Sequence, residues 1–312
     1  MLRFSQGRDD LPGCPLAMSL AARWSRLFPW ALRLAWAVLP FTAGPAWAEA
    51  LRARSHDVQA VASTGLWAVW AVVLIGTLVP HPLSLTALRL VAPAAVVAAA
   101  WAATQPGVST AASVAALGTT LIATALALAP TTGLRFVNGT AYPNERRFPL
   151  RLPGALLVGL LPVTWALALG LPTLAALLLA AHRWVAGGAL AVVAVAVDAV
   201  LLPALHGLSR RWVVFVPAGV VLHDPMTLAD PVLFPKRTIE ALHLAPADTD
   251  SLDLTQRSPG LACELLLWEK VPLTLRKPGD RVGESGASAR LLFTPTRPGA
   301  VLAEARRRGV RG

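Results

Sequence analysis

Five stretches of this chain are apolar for long enough to cross a bilayer, and no other feature limits its folding as much. They run over residues 58–79, 83–103, 110–129, 154–180 and 185–208. A spanning helix needs about 20 predominantly apolar residues. In hydrocarbon, only helices and closed barrels satisfy their own backbone hydrogen bonds. Runs of this length therefore predict an α-helical transmembrane bundle. Composition agrees, with 55% hydrophobic and 14% charged residues, which is too apolar for an ordinary soluble domain. Pro162 and Pro172 lie inside the fourth stretch, which is expected to kink or tilt.

A sixth segment, "LFPWALRLAWAVLPFTAGPAWA" at 27–48, is interrupted by Arg33 and Pro40 and carries Trp30, Trp36 and Trp47. It reads as a retained first span, giving five to six spans in all. The alternative is a secretory signal cleaved after Ala46-Trp47-Ala48. The expected organisation is an N-terminal cytoplasmic segment at 1–26, with Met18 as a second candidate start, a transmembrane domain at 27–208, and a cytoplasmic domain at 209–312. Cys14 and Cys263 stand far apart in unlike segments and suggest neither a disulfide framework nor a metal site.

Arginine placement orients the bundle. The loop at 131–153 carries Arg135, Arg146, Arg147 and Arg151 against Glu145 alone, whereas 104–109 carries no charge. Positive loops stay on the cytoplasmic side. Counting spans from there brings the last one back inside at Arg210 and Arg211, in a multi-pass protein of the plasma membrane. Arg52 and Arg54 fall in an outer loop and run against the rule.

From Ser209 the polarity becomes that of a soluble domain, with 15 Lys/Arg and 11 Asp/Glu. "RWVVFV-PAG-VVLHD" reads as a β-hairpin. Further strands are expected at 232–235, 239–245, 261–269, 271–277 and 289–295. "RPGAVLAEARRRG" has helical apolar spacing, with Pro298 at its start and arginines at its C-terminal end. This order, carried by "RRWVVFVPAGVVLHDP", "LFPKRTIEALHLAP" and "LLFTPTRPGAVLAEARRRG", resembles membrane-anchored bacterial pleckstrin-homology-like (PH-like) domains. The whole chain is similar to uncharacterised actinobacterial integral membrane proteins. The resemblance implies a small β-rich domain closed by a C-terminal helix, binding lipid headgroups or protein partners without catalysis. The acidic insert "APADTDSLDLTQRSPG" at 245–260 departs from that layout.

The sequence holds no P-loop, no dinucleotide-binding glycine motif, no HExxH and no nucleophile elbow. The chain is accordingly read as non-enzymatic, with no cofactor, no metal and no nucleic-acid partner. His223-Asp224 precedes Pro225 and reads as a turn. "DTDSLD" at 248–253 lacks the glycine and terminal glutamate of a calcium loop and reads as solvated. Glu264 and Glu269, five apart on a strand, face opposite sides.

Asp198 is the outstanding intramembrane residue. A carboxylate in mid-span costs about 2.5–3.5 kcal/mol on insertion scales, so it requires a partner or a water-filled cavity. Arg89 and Arg33 are candidate partners, and His206 lies eight residues on, near the same helix face. A proton or cation relay and an interhelical packing contact are the two readings. The favoured function is docking of the cytoplasmic domain to anionic lipid headgroups or a membrane protein partner. Arg210, Arg211, Arg306, Arg307, Arg308 and Arg311 are the candidate contacts. The alternative is a small transporter or channel component that uses Asp198.

Overall fold

A computed structural model describes residues 27–276 and 283–311. The 1–26 segment, with Met18 and Cys14, lies outside the described residues. Helix α1 covers 27–37 and continues through α2 (Leu39–Thr42) and α3 (Gly44–Leu51), with breaks at Val38 and Ala43. Four spans and a short helix follow: α4 (His56–Leu78), α5 (Pro82–Ala103), α6 (Thr110–Leu128), α7 (Pro130–Asn138) and α8 (Leu161–Ala180). A π-helical turn at Leu156–Leu160 leads into α8. Pro162 has no N–H to offer the preceding turn, so a widened turn just before it is the local outcome. The last span is α9 (Trp184–Leu208). Among the described residues, five helices are thus long and apolar enough to cross a membrane, and the chain is a multi-pass membrane protein by that measure.

The α1–α3 segment is packed into the helical bundle. Trp36 Nε1 donates to Trp70 O at 3.0 Å and Trp70 Nε1 donates to Trp36 O at 2.9 Å, a reciprocal pair that ties α1 to α4. Ala43, Ala46 and Ala50 pack with Ala99, Ala102 and Ala116 in a seam of small side chains. Without a hydrophobic drive between helices in lipid, such close approach is what holds them together. Gly187 serves the α8–α9 hairpin in the same way, since a Cβ there would lie 2.8 Å from Leu179 Cγ.

The β region contains two four-stranded sheets and the closing helix α10 (Pro298–Arg307). The first sheet has the order β1-β2-β3-β4, built from Arg146–Pro149, Trp212–Val216, Gly219–His223 and Val232–Pro235, all antiparallel. Strand β1 comes from the loop between α6 and α8, outside the 209–312 range, and pairs Arg146 with Phe215 through to Pro149 with Trp212. The second sheet has the order β5-β7-β8-β6. It consists of β5 (Ile239–Leu244), β6 (Leu252–Asp253), β7 (Cys263–Leu275) and β8 (Glu284–Phe293). The strands expected at 261–269 and 271–277 are one strand, β7, with a register shift between Leu266 and Val271. The acidic insert contributes β6 and is fastened by Glu264. The Thr249 hydroxyl donates to Glu264 Oε1 at 2.6 Å, and the Ser251 hydroxyl donates to the same oxygen.

Strand β2 is buried on both faces. Val213 and Phe215 enter the core between the sheets, with Phe148, Phe234, Leu265, Phe293 and Val301. Trp212 and Val214 point the other way and pack with Trp36, Leu85, Leu88 and Phe136 of the helical bundle. A near-continuous apolar strand is what two-sided burial requires. The β region is therefore seated on the bundle through its first sheet.

Candidate functional site

The seam between helices and sheet is built from the 130–151 segment. Helix α7 lies against the α4–α5 turn so closely that a Cβ on Gly139 would sit 2.0 Å from Pro80 O. The Asn138 carboxamide accepts from Arg147 N at 2.9 Å and donates to Arg147 O at 2.7 Å, which fixes β1 to α7. Arg147 then pairs with Glu145 at 2.9 Å and lies 5.2 Å from the centre of the Trp212 ring. Hydrogen bonding from Arg147 holds the Glu145 carboxyl below its ordinary range. His223, 5.3 Å from Trp212, is held below the ordinary histidine value by burial and by Arg210.

The intramembrane residues do not form one constellation. Asp198 lines a groove of about 670 Å³ between α8 and α9, with alanines 175, 176, 191 and 194 among its neighbours. Its Oδ1 is enclosed and has no hydrogen-bond partner among the described residues. Neither expected partner reaches it. Arg33 donates from Nε to Thr77 O at 3.3 Å and stacks 4.9 Å from the Trp30 ring. Arg89 faces α7, where its Nη2 occupies the space that a Gly133 Cβ would need. His206 turns its Nδ1 toward Thr86 Oγ1, 2.9 Å away, and Thr86 Oγ1 lies 3.1 Å from Ser209 Oγ. That cluster joins α5 to the end of α9, and His206 lies about 12 Å along the helix from Asp198 at about 1.5 Å rise per residue. A relay from Asp198 to His206 is not assembled in this arrangement.

The basic residues divide in the same manner. Arg210 is exposed where α9 ends. Arg211 was expected to be a headgroup contact, and the structure corrects this: its side chain is 1% exposed and forks onto Asp224, Nε to Oδ1 and Nη2 to Oδ2, both at 2.7 Å. Its Nη1 donates to Arg151 O at 3.0 Å. A guanidinium buried at the entrance of β2, with its Nε–Nη2 edge on a carboxylate and Nη1 on a carbonyl, is not presented to a lipid. Asp224, read as a turn residue, does cap the turn through Met226 N at 3.1 Å, but its larger part is as the buried counter-charge. Arg308 is largely spent too, on Glu304 at 2.7 Å and Asn144 O at 3.0 Å. Arg306, Arg307 and Arg311 remain exposed.

Arg311 belongs to a feature that sequence reasoning missed. With Lys236, Arg237, Glu240 and Trp268 it lines a cleft of about 220 Å³ between the β4–β5 turn, the irregular part of β7 and the end of α10. Trp268 is 62% exposed. The available signal was a tryptophan on the polar side of a strand, followed by Glu269 and Lys270, with a "PKRT" turn upstream.

No protein-family model, curated protein or solved structure matches this chain.

Proposed function

We propose that this chain is a non-enzymatic membrane protein of the plasma membrane that holds a PH-like domain rigidly at the cytoplasmic face, for docking to anionic lipid or to a protein partner. The observation that carries the reading is the shared first sheet. Because β1 enters it from the loop between two spans, and Trp212 and Val214 pack on the helices, the β region is a fixed platform. Two four-stranded sheets closed by a C-terminal helix support the PH-like layout. The arginines of the 131–153 loop support the cytoplasmic side. The transport alternative has one observation in its favour, the unpartnered Oδ1 of Asp198. Against it, His206, Arg89 and Arg33 do not line that groove.

The test is topology together with adducts. Single cysteines at Tyr142, 78% exposed, and at Ser285 should resist a membrane-impermeant maleimide in intact cells and react in inverted vesicles. Strand pairing demands that both behave alike. Labelling of either from outside would overturn the reading. A photo-crosslinker at Trp268 should give lipid or protein adducts in native membranes, and a substrate-dependent current or uptake lost in Asp198→Asn would favour transport instead.

A further inference from the structure

We propose that the cleft formed by Lys236, Arg237, Trp268 and Arg311 is a binding site for a phosphate-bearing ligand. The proposal deepens the docking reading above and rests on it for the role of the β region.

Each wall of the cleft is held in place by the backbone. The Lys236–Thr238 turn is anchored by Lys236 N donating to Ala218 O at 3.0 Å, and the Thr238 hydroxyl donates to Pro235 O at 2.8 Å. Gly309, at φ +75°, ends α10 and sends the chain back along β5, where Arg311 O accepts from Leu242 N at 2.8 Å. The register shift in β7 presents Trp268 on the third side. Such irregularities re-aim side chains, and they are over-represented next to binding sites.

Among the described residues, the charge in this cleft is net positive. Three cations face it against one carboxylate, Glu240, and among the described residues none of Lys236, Arg237 and Arg311 makes an ion pair or a side-chain hydrogen bond. They are not needed to cap α10 either. The Arg308, Gly309 and Val310 amides already satisfy carbonyls of its last turn. Two guanidinium forks and an ammonium lining one concavity focus positive potential and suit the oxygens of a phosphate. The volume of 220 Å³ is that of roughly seven waters at about 30 Å³ each, which admits a phosphate and a few attached carbons. Trp268 supplies an amphipathic wall for those carbons, and Glu240 can accept from a ligand hydroxyl. A glycerophosphate-like group answers to all of these features, whether it arrives as a lipid headgroup or as a soluble phosphorylated molecule.

The experiment is hydrogen–deuterium exchange of the full chain in maltoside micelles, which carry no phosphate. Three additions are compared at matched ionic strength: phosphatidylglycerol in the micelle, glycerol 1-phosphate in solution, and chloride. Severalfold slower exchange at residues 236–242 and 309–311 is expected with a phosphate ligand and not with chloride. Protection by phosphatidylglycerol assigns a headgroup source. Protection by glycerol 1-phosphate alone assigns a soluble one. The Lys236→Gln/Arg237→Gln/Arg311→Gln variant should lose the effect while the β7 amides keep their parent protection, which shows that the fold is intact. Equal protection in parent and variant, or protection that chloride reproduces, overturns the site. Protection on phosphatidylglycerol confined to other parts of the β region overturns the cleft and leaves the docking reading standing. No protection anywhere in that region overturns the cleft and counts against lipid docking.

Discussion

Asp224→Ala should loosen the β region by breaking its buried ion pair with Arg211. Asp224 and Arg211 are each 1% exposed in their side chains, and two 2.7 Å bonds hold them together. Removing the carboxylate strands a guanidinium that cannot lose its proton. Breaking a buried pair from one side costs about 3–5 kcal/mol. At about 1.4 kcal/mol per tenfold, the lower bound raises the population of the opened β region roughly 100-fold. Cys263 provides the assay. It is fully buried, at 0% exposure, and burial pushes its thiol up to about 12, so only an opened molecule reacts at neutral pH. With Cys14 replaced by Ser, the alkylation rate of Cys263 in mild detergent reports the opening equilibrium. The Asp224→Ala rate should exceed the parent rate by roughly that factor. Arg211→Met/Asp224→Leu should recover most of the loss, because an apolar pair leaves no charge stranded. An Asp224→Ala rate equal to the parent's would refute the reasoning.

Residues 209–312 expressed alone lack β1, Phe148 and Leu150 and should give no cooperative melt. Fusing residues 141–153 back through a flexible linker should restore one, and a cooperative melt of the shorter fragment would show β1 to be dispensable. Gly139→Ala places a methyl group against Pro80 O and should separate α7 from the α4–α5 turn, measured as faster amide exchange in 130–139, whereas unchanged exchange would mean that the seam yields at no cost. His223 has a folded value below its ordinary one, so its contribution to stability is complete above about pH 6.5 and is lost as pH falls through the folded value. The melting temperature of the full chain should fall over that window. His223→Gln should flatten the slope, and an identical slope in the variant would assign the pH dependence elsewhere.

What the sequence determined by itself was every feature governed by local period and length. Five runs of bilayer length became five helices because hydrocarbon leaves the backbone no other way to satisfy itself. The hairpin 212–223 and the helix after Pro298 were legible from alternation, turn chemistry and apolar spacing. Tertiary structure decided what those elements meet. "RRFP" at 146–149 has too few residues to announce a strand, and it becomes one because β2 offers it an open edge. "WVVFV" is apolar at every position, which is compatible with a hairpin of a separate domain and with a strand pressed between a core and a helical bundle; only the packing of Trp212 and Val214 separates the two. Arg210 and Arg211 are neighbours with the same chemistry, yet one is exposed and the other is locked to Asp224, because successive residues at a strand entrance point in opposite directions. The cleft of Lys236, Trp268 and Arg311 draws on three segments far apart in the chain, and no local period links them. Charge and side-chain type are written residue by residue, but whether a charge is spent on a partner or left to a ligand depends on contacts made only when distant strands close.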